Sequence, residues 1–555
     1  MIPASKILSS IPEQEKSSTV LLLVSIIEQQ QQTTELQQQE ILLLKEKVET
    51  LEAEVRRLKK LPPKPKIKSN LPKDDDGSSD EDSNDNSGDD ADGNSDDTKQ
   101  KQPKPRKDQK KLHIHKTKVV DPQDLPAGSR LLGYQDYTIQ ELTIEPYNTL
   151  YRLARYRTPN GEIRIGTLPE EMKGSHFGVT LRSYILYQHY HQRVTQPLIY
   201  KYLQELGIQI SKGQISNLLI EGKEGLHLEK DELLTAGINH SSYIQADDTG
   251  ARHEGKNGYC THIGNDAFAW FASTNSKSRI NFLKLLRGAS AHYRLNETAY
   301  GYMASQGLPK EELRRVKESF ILLFEEDEQW SHHLQQLGIK NKRHIRIATE
   351  GALLGSLSSS GFPPELVVLS DDAGQFNILN HALCWIHANR LFQKIIPLND
   401  DHANALEWVH RWIWGLYADL QRYKKNPNES TKEAIESGYD ALCQTESTFA
   451  TLNQALKRLA KNKEELLLVL DYPEIPLHNN LSERDIREYV IKRKISGSTR
   501  SENGRRCRDT FLSLIKTCQK QYISVWDLIR DRITGKNRIP YLPDVISGNA
   551  CIIKS

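Results

Sequence analysis

Tyr243-Ile-Gln-Ala-Asp-Asp-Thr-Gly-Ala-Arg252 is the stretch whose reading decides the fold. Tyr243, Ile244 and Ala246 suit a buried strand, and the two acids, Thr249 and Gly250 end that strand in carboxylates. The same event recurs in Glu365-Leu-Val-Val-Leu-Ser-Asp-Asp372, an apolar run that stops at a second Asp pair before Ala373 and Gly374. A third acid, Glu483, lies in Asn479-Asn480-Leu-Ser-Glu483-Arg484-Asp-Ile-Arg487, which reads as the start of a helix. Two strands and a helix that deliver acids present oxygen ligands suited to a hard cation. That chemistry points to metal-dependent phosphoryl transfer on DNA.

Working outward, Gly258–Thr274 reads as a hairpin in which Cys260, His262 and Ala267-Phe-Ala-Trp-Phe271 flank a Gly264-Asn-Asp turn. Ser276–Arg287 reads as a helix. Residues 289–361 are mostly helical, with Glu311–Gln336 the clearest part. Gln375–Lys394 also reads as a helix, with Cys384 and His387 taken as core packing, and residues 400–470 are helical again. Three strands, a helix, a fourth strand ending in acid and a later helix carrying acid predict an α/β, ribonuclease-H-like core over 236–510. Its large helical insertions fall near 289–361 and 395–470, and a helical tail follows over 511–555.

Upstream, Leu181–Tyr190 forms a helix, Thr195 caps a second through Leu206, Gly207 turns the chain, and Ser211 caps a third from Lys212 to Leu219. This is a helix-turn-helix within 168–235, with Gln214, Ser216 and Asn217 on the face available for reading DNA. Residues 112–167 alternate at His113–Val120 and Tyr137–Ile144 and predict a small β-rich segment. Residues 62–111 carry Pro, Lys, Asp, Ser and Gly with almost nothing apolar, a disordered linker. Before Pro62, a helix capped by Ser17 or Ser18 runs to about Lys60. Its apolar seam (Ile41, Leu44, Val48, Leu51, Val55, Leu58) passes through polar Gln30, Thr34 and Gln37 to Val20, Leu23 and Ile27. That is a coiled coil over 1–61, and it predicts a homo-oligomer.

Charge is divided. The chain of 555 residues carries a formal net +2. Residues 74–97 hold 11 Asp and one Glu without Lys or Arg, so removing those 12 negative charges leaves +14 on the remainder. A basic body of that size fits a polyanionic partner. Lys492, Arg493, Lys494, Arg505, Arg506 and Arg508 form the densest basic stretch outside the linker. Six scattered Cys without C-x-x-C pairing suit a reducing compartment. No signal peptide is visible. The apolar run Val20–Ile27 is shorter than the about 20 residues a spanning helix needs, so a cytoplasmic protein without membrane contact is expected.

Three segments together resemble the transposases of the insertion sequence 66 family. They are Ala246-Asp-Asp-Thr-Gly250; Ser370-Asp-Asp-Ala-Gly374 with Cys384-Trp-Ile-His-Ala-Asn-Arg390; and Asn479-Asn480-Leu-Ser-Glu483-Arg484 with Arg493-Lys494. The resemblance implies a bacterial DNA transposase of the Asp-Asp-Glu type, with the triad on Asp247, Asp371 and Glu483. It further implies two Mg²⁺ ions (Mn²⁺ substituting) held by those carboxylates, which cut at the element's ends and join the 3′-hydroxyl to target DNA. Arg484, Arg487 and the basic tail would position phosphates, and Gln214 and Asn217 would read the terminal repeats. The partners implied are end and target DNA, a second copy and accessory proteins encoded by the element, with nucleoid association during action. This sequence departs from the family pattern twice. Residues 112–167 contain no Cys, so no zinc is expected, and His478 stands before Asn479 and Asn480 where an Asp is usual. His478, Asn479 and Asn480 are supporting candidates. A relative that binds or scaffolds DNA without catalysis, and a structure-specific nuclease without strand joining, are the two rival readings.

Overall fold

The computed structural model describes residues 174–288 and 292–550, residues 134–169, and shorter stretches within 25–48, 114–120 and 129–132. The chain divides into two compact units, one made of Met1–Lys60 and Glu145–Ser555 and the other of Leu61–Ile144. Among the described residues of the second unit there is no helix or strand, so the strands expected at His113–Val120 and Tyr137–Ile144 do not form where they can be seen. The alternation there does not suffice without a partner strand. The hairpin that does form in this region is Arg155–Arg157 against Ile163–Ile165, closed by a turn at Gly161 and belonging to the larger unit.

The larger unit is mixed α/β, built on a five-stranded sheet. Strands β1 (Tyr243–Gly250), β2 (Tyr259–Gly264), β3 (Ala269–Thr274), β4 (Val367–Ser370) and β5 (Asn380–Leu383) lie in the spatial order β3-β2-β1-β4-β5. β1–β2 and β2–β3 are antiparallel pairs, whereas β1–β4 and β4–β5 are parallel. β1 alternates as expected of a strand with two packed faces. Ile244 and Ala246 enter the larger core with Val368 and Ile263, while Val367 and Leu369 enter a second core. All four residues of β4 are buried, which is why its sequence is an unbroken apolar run.

β5 corrects the sequence reading, which had Gln375–Lys394 as one helix. Asn380–Leu383 instead pairs in parallel with β4, Ser370 opposite Leu383, and only Trp385–Gln393 is helical. Tertiary pairing outweighs the apolar spacing that suggested a helix. Glu311–Gln336 is likewise broken, into helices Lys310–Lys317 and Asp327–Gln336 around a short strand at Leu323–Phe324.

Helices α1 (Val179–Leu186), α2 (Gln196–Glu205), α3 (Lys212–Ile220) and α4 (Glu224–Asn239) precede β1, and α5 (Arg279–Arg287) follows β3. α6 (Lys342–Ser359) closes the first insertion and α7 (Trp385–Gln393) follows β5. The second insertion holds α8 (Asp400–Tyr423), α9 (Glu429–Cys443) and α10 (Ala450–Lys461), packed into the second core. The chain then returns to the sheet through α11 (Asn480–Ser496) and α12 (Glu502–Lys520).

α3 starts where Ser211 predicts it should: the Ser211 hydroxyl accepts from Gln214 N–H at 3.1 Å, and the Gln214 side chain accepts from Ser211 N–H at 2.8 Å. This reciprocal capping box, with Gly207 at φ +79° in the turn before it, sets the angle between α2 and α3. Residues 36–48 are helical, and Ile41, Leu44 and Val48 of the predicted seam are 52, 52 and 54% exposed. Glu46 on the same helix is buried: its carboxylate accepts from the N–H groups of Ala450 and Thr451, capping α10, which has no side-chain cap of its own. Leu51, Val55 and Leu58 lie outside the described residues.

Candidate active site

The β1–β4 register brings the first two acids together. Gln245 is opposite Leu369 in a parallel pair, so two residues further on Asp247 and Asp371 stand level. Asp371 is just past the end of β4, but β1 does not end at its acids as the sequence suggested, because pairing with β2 carries it through Asp247 to Gly250. Burial pushes the Asp247 carboxyl up to about 7, and the negative charges of Asp371, Glu483 and Asp248 push in the same direction. Asp371 folds its own side chain back, accepting from Ala373 N–H at 3.1 Å.

The neighbouring acids are engaged elsewhere. Asp248 accepts from the Thr261 hydroxyl and from Gln375 Nε2 (2.9 Å). Asp372 pairs with Arg458 at the edge of the second insertion.

Glu483 arrives on the first turn of α11, and that turn is fastened to β1. Asn479 is fully buried and its side chain donates to Ala246 O at 3.0 Å, while its N–H donates to Cys384 Sγ at 3.3 Å. Gln245 Oε1 accepts from Ser482 N–H at 3.2 Å, and Gln245 Nε2 donates to His478 O at 3.4 Å. His478 thus contributes its backbone here, and Asn480 is exposed at the helix start.

Across from Glu483 stands α7. His387 Nε2 lies 3.4 Å and Arg390 Nη2 3.6 Å from Glu483 Oε1, and Arg390 Nη1 donates to His387 Nε2 at 2.8 Å. His387 was read from the sequence as core packing; only Cys384 fits that reading, at 1% exposure. The imidazole instead feels the charges of both Glu483 and Asp371, although burial and Arg390 hold its pKa down. The signal was in the spacing: residues 387, 390 and 394 share one face of a helix.

Among the described residues, no three His, Cys, Asp or Glu side chains stand close enough together to grip one metal ion, and Glu483 lies beside the Arg390 guanidinium. The donor chemistry nevertheless fits a hard divalent cation. Carboxylates dominate it, and Glu483 Oε1 is buried without a hydrogen-bond donor.

Residues 174–305 and 352–506 match the family model described as Transposase IS66 family. The chain belongs to the IS66 transposase family. A protein of Sinorhizobium fredii named Uncharacterized protein y4jO is 38% identical over 303 residues, which are 54% of this chain and 94% of that protein. Membership makes this IS66-family chain a DNA-processing enzyme in outline. The matched segments contain Asp247, Asp371, Glu483 and α7, and omit most of the first insertion. Among the described residues no helix is long and apolar enough to cross a membrane.

A transposase must hold DNA, and its predicted phosphate contacts divide by where they point. Arg484, Arg487 and Lys494 are exposed along α11, and Arg506 is exposed while lying 3.8 Å from Asp231. Lys492 is the correction. It is 7% exposed and its ammonium donates to His189 O at 2.6 Å, so it ties α11 to the segment after α1 and offers nothing to a phosphate. Arg493 donates to Gly250 O at the end of β1. Arg505 bonds Asn275 and Glu502, and Arg508 donates to Gly497 O while covering the Tyr489 ring. Gln214 and Asn217 are exposed on α3, at a cleft of about 800 Å³ that they share with Lys223 and Arg532.

Proposed function

We propose that this chain cuts DNA at the ends of its insertion element and joins the freed 3′-hydroxyl to target DNA, using Asp247, Asp371 and Glu483 on a ribonuclease-H-like core. The observation that carries this reading is the level placement of Asp247 and Asp371 on parallel neighbours, with Glu483 close enough to raise the Asp247 pKa. The strand order, with a three-stranded antiparallel meander (β1, β2, β3) continued by two parallel pairs (β1–β4 and β4–β5), supports the ribonuclease-H-like plan.

Asp247, Asp371 and Glu483 would hold two divalent cations, Mg²⁺ or Mn²⁺, which when bound activate the attacking oxygen and stabilise the leaving one. The protein's own residues do the rest. Arg484, Arg487 and Lys494 draw the phosphate backbone along α11 toward Glu483. Arg390 and His387 supply a polar wall opposite Glu483, where the transferring phosphoryl group gathers negative charge. α2 and α3 act as a helix-turn-helix that reads the element's ends, with Asn217 free to do so. The exposed seam Ile41, Leu44 and Val48 pairs with a second copy, which brings two ends into one assembly.

The test is strand joining. Linear DNA bearing the element ends, a supercoiled target and Mg²⁺ should give a joined product with the intact chain and none with Glu483→Gln. Nicking at the ends without any joined product would make the protein a nuclease and overturn the reading.

A further inference from the structure

Behind Glu483 lies a buried ionic cluster that the chemistry above does not use. His262 on β2 is fully buried, paired in register with Asp247, and its Nδ1 lies 2.6 Å from the Ser482 hydroxyl. Its Nε2 is 3.3 Å from Asp485, whose carboxylate also meets Lys516 at 3.2 Å and Lys520 at 2.8 Å, both on α12. The side chains of Asp485, Lys516 and Lys520 are 7, 15 and 12% exposed. Taking an imidazole, a carboxylate and two ammonium groups out of water is costly, and a buried ion pair is a poor device for stability alone. Its best-attested use is to fix register. Here it fixes the register of one particular turn: Ser482 and Asp485 bracket Glu483, three residues apart on the sheet-facing side of α11.

We propose that His262, Ser482 and Asp485 are positioning residues that hold the first turn of α11 against β1 and β2, and so keep Glu483 beside Asp247 and within reach of a shared cation. The strand carrying the first acid and the helix carrying the third are 236 residues apart in sequence, and two independent fastenings join them. Gln245 and Asn479 fix where the turn sits on β1, and the His262–Asp485–lysine cluster fixes its rotation about the helix axis. An apolar cluster would bury as well but, being non-directional, would not fix the rotation of the helix as paired charges do. The inference rests on the triad reading above.

The experiment measures Mn²⁺ binding to the full-length chain by electron paramagnetic resonance, with melting temperature recorded for every variant. Ser482→Ala removes the His262 contact and leaves a buried imidazole nitrogen without that partner, so a lower melting temperature is expected alongside the change in binding. The substitution should weaken Mn²⁺ binding about tenfold, the usual effect of removing a residue that orients a ligand. In a Glu483→Gln background the same change should have no further effect, because its action runs through Glu483. His262→Asn, which can keep a polar atom near Nδ1, should bind more tightly than His262→Gln, which cannot. Equal losses from Ser482→Ala in both backgrounds would make the cluster merely structural and overturn the proposal. Wild-type affinity in Ser482→Ala would do the same. Failure of the unmodified chain to bind Mn²⁺ at all would instead overturn the triad reading, and the positioning role with it.

Discussion

Lys492→Met separates a buried lysine from a DNA-binding one. Burial pushes the Lys492 ammonium down to about 7, and the nearby Arg508 and Arg193 push it further in that direction. In the unfolded chain the same group titrates near 10.4. Between those values the unfolded chain holds a proton that the native chain has released, so stability rises with pH across the window and is lowest below 7. From pH 7 to pH 9 the gain is about 2 kcal/mol for this one group. A methionine of similar length cannot titrate. The unmodified chain should therefore gain about 2 kcal/mol on Lys492→Met over that interval, a few degrees of melting temperature for a chain of this size. Thermal unfolding at pH 7, 8 and 9 reads this directly, and the difference between the two proteins cancels the other titrating groups. Binding to random DNA, measured in parallel, should keep the same salt dependence. A variant that tracks the unmodified chain at all three pH values would refute the argument. So would a salt plot flattened by about one unit, the mark of a lost phosphate contact.

The exposed cations should behave in the opposite way. Arg484→Gln, Arg487→Gln and Lys494→Gln should each flatten the plot of log affinity against log salt by about one unit for any DNA sequence, without altering the melting temperature; unchanged slopes would move the phosphate path elsewhere. Gln214→Ala should cost about 1 kcal/mol of stability through the lost capping box, whereas Asn217→Ala should reduce only the preference for element ends over random DNA. Equal loss of end preference in both would contradict that division. Leu44→Asp should lower the oligomeric state of the full-length chain in sedimentation, since Leu44 faces outward while Glu46 holds the helix to α10. An unchanged sedimentation coefficient would remove the seam from assembly.

The parts of the fold legible in the sequence were those whose signal is local. β1 and β4 announce themselves as apolar runs leading into acid pairs, and Ser211 with Gln214 three residues later marks the start of α3. β5 was hidden because Asn380–Leu383 is a strand only by virtue of β4 beside it, and nothing within four residues records a neighbour. The site divides similarly. Asp247 and Asp371 stand out because each opens an acid pair after apolar strand residues, and Glu483 because it lies in the first turn of a helix. Lys492 and Arg508 looked like surface charge because sequence shows that a residue is basic but not which way it points. His262 and Asp485 are 223 residues apart, and only the folded sheet reveals that they touch. His387 was legible in part: its helical spacing from Arg390 was readable, but the Glu483 it faces comes from another helix.

The central claim is that three carboxylates do the chemistry, and isosteric removal of each tests it most directly. Asp247→Asn, Asp371→Asn and Glu483→Gln keep side-chain size and remove one ligating charge apiece. Single-turnover cleavage of element-end DNA in Mg²⁺ should fall to background in all three, with affinity for that DNA within a few-fold of the unmodified chain. Cleavage at the unmodified rate in any one of them would exclude that residue, and cleavage in all three would place the reaction elsewhere in the protein.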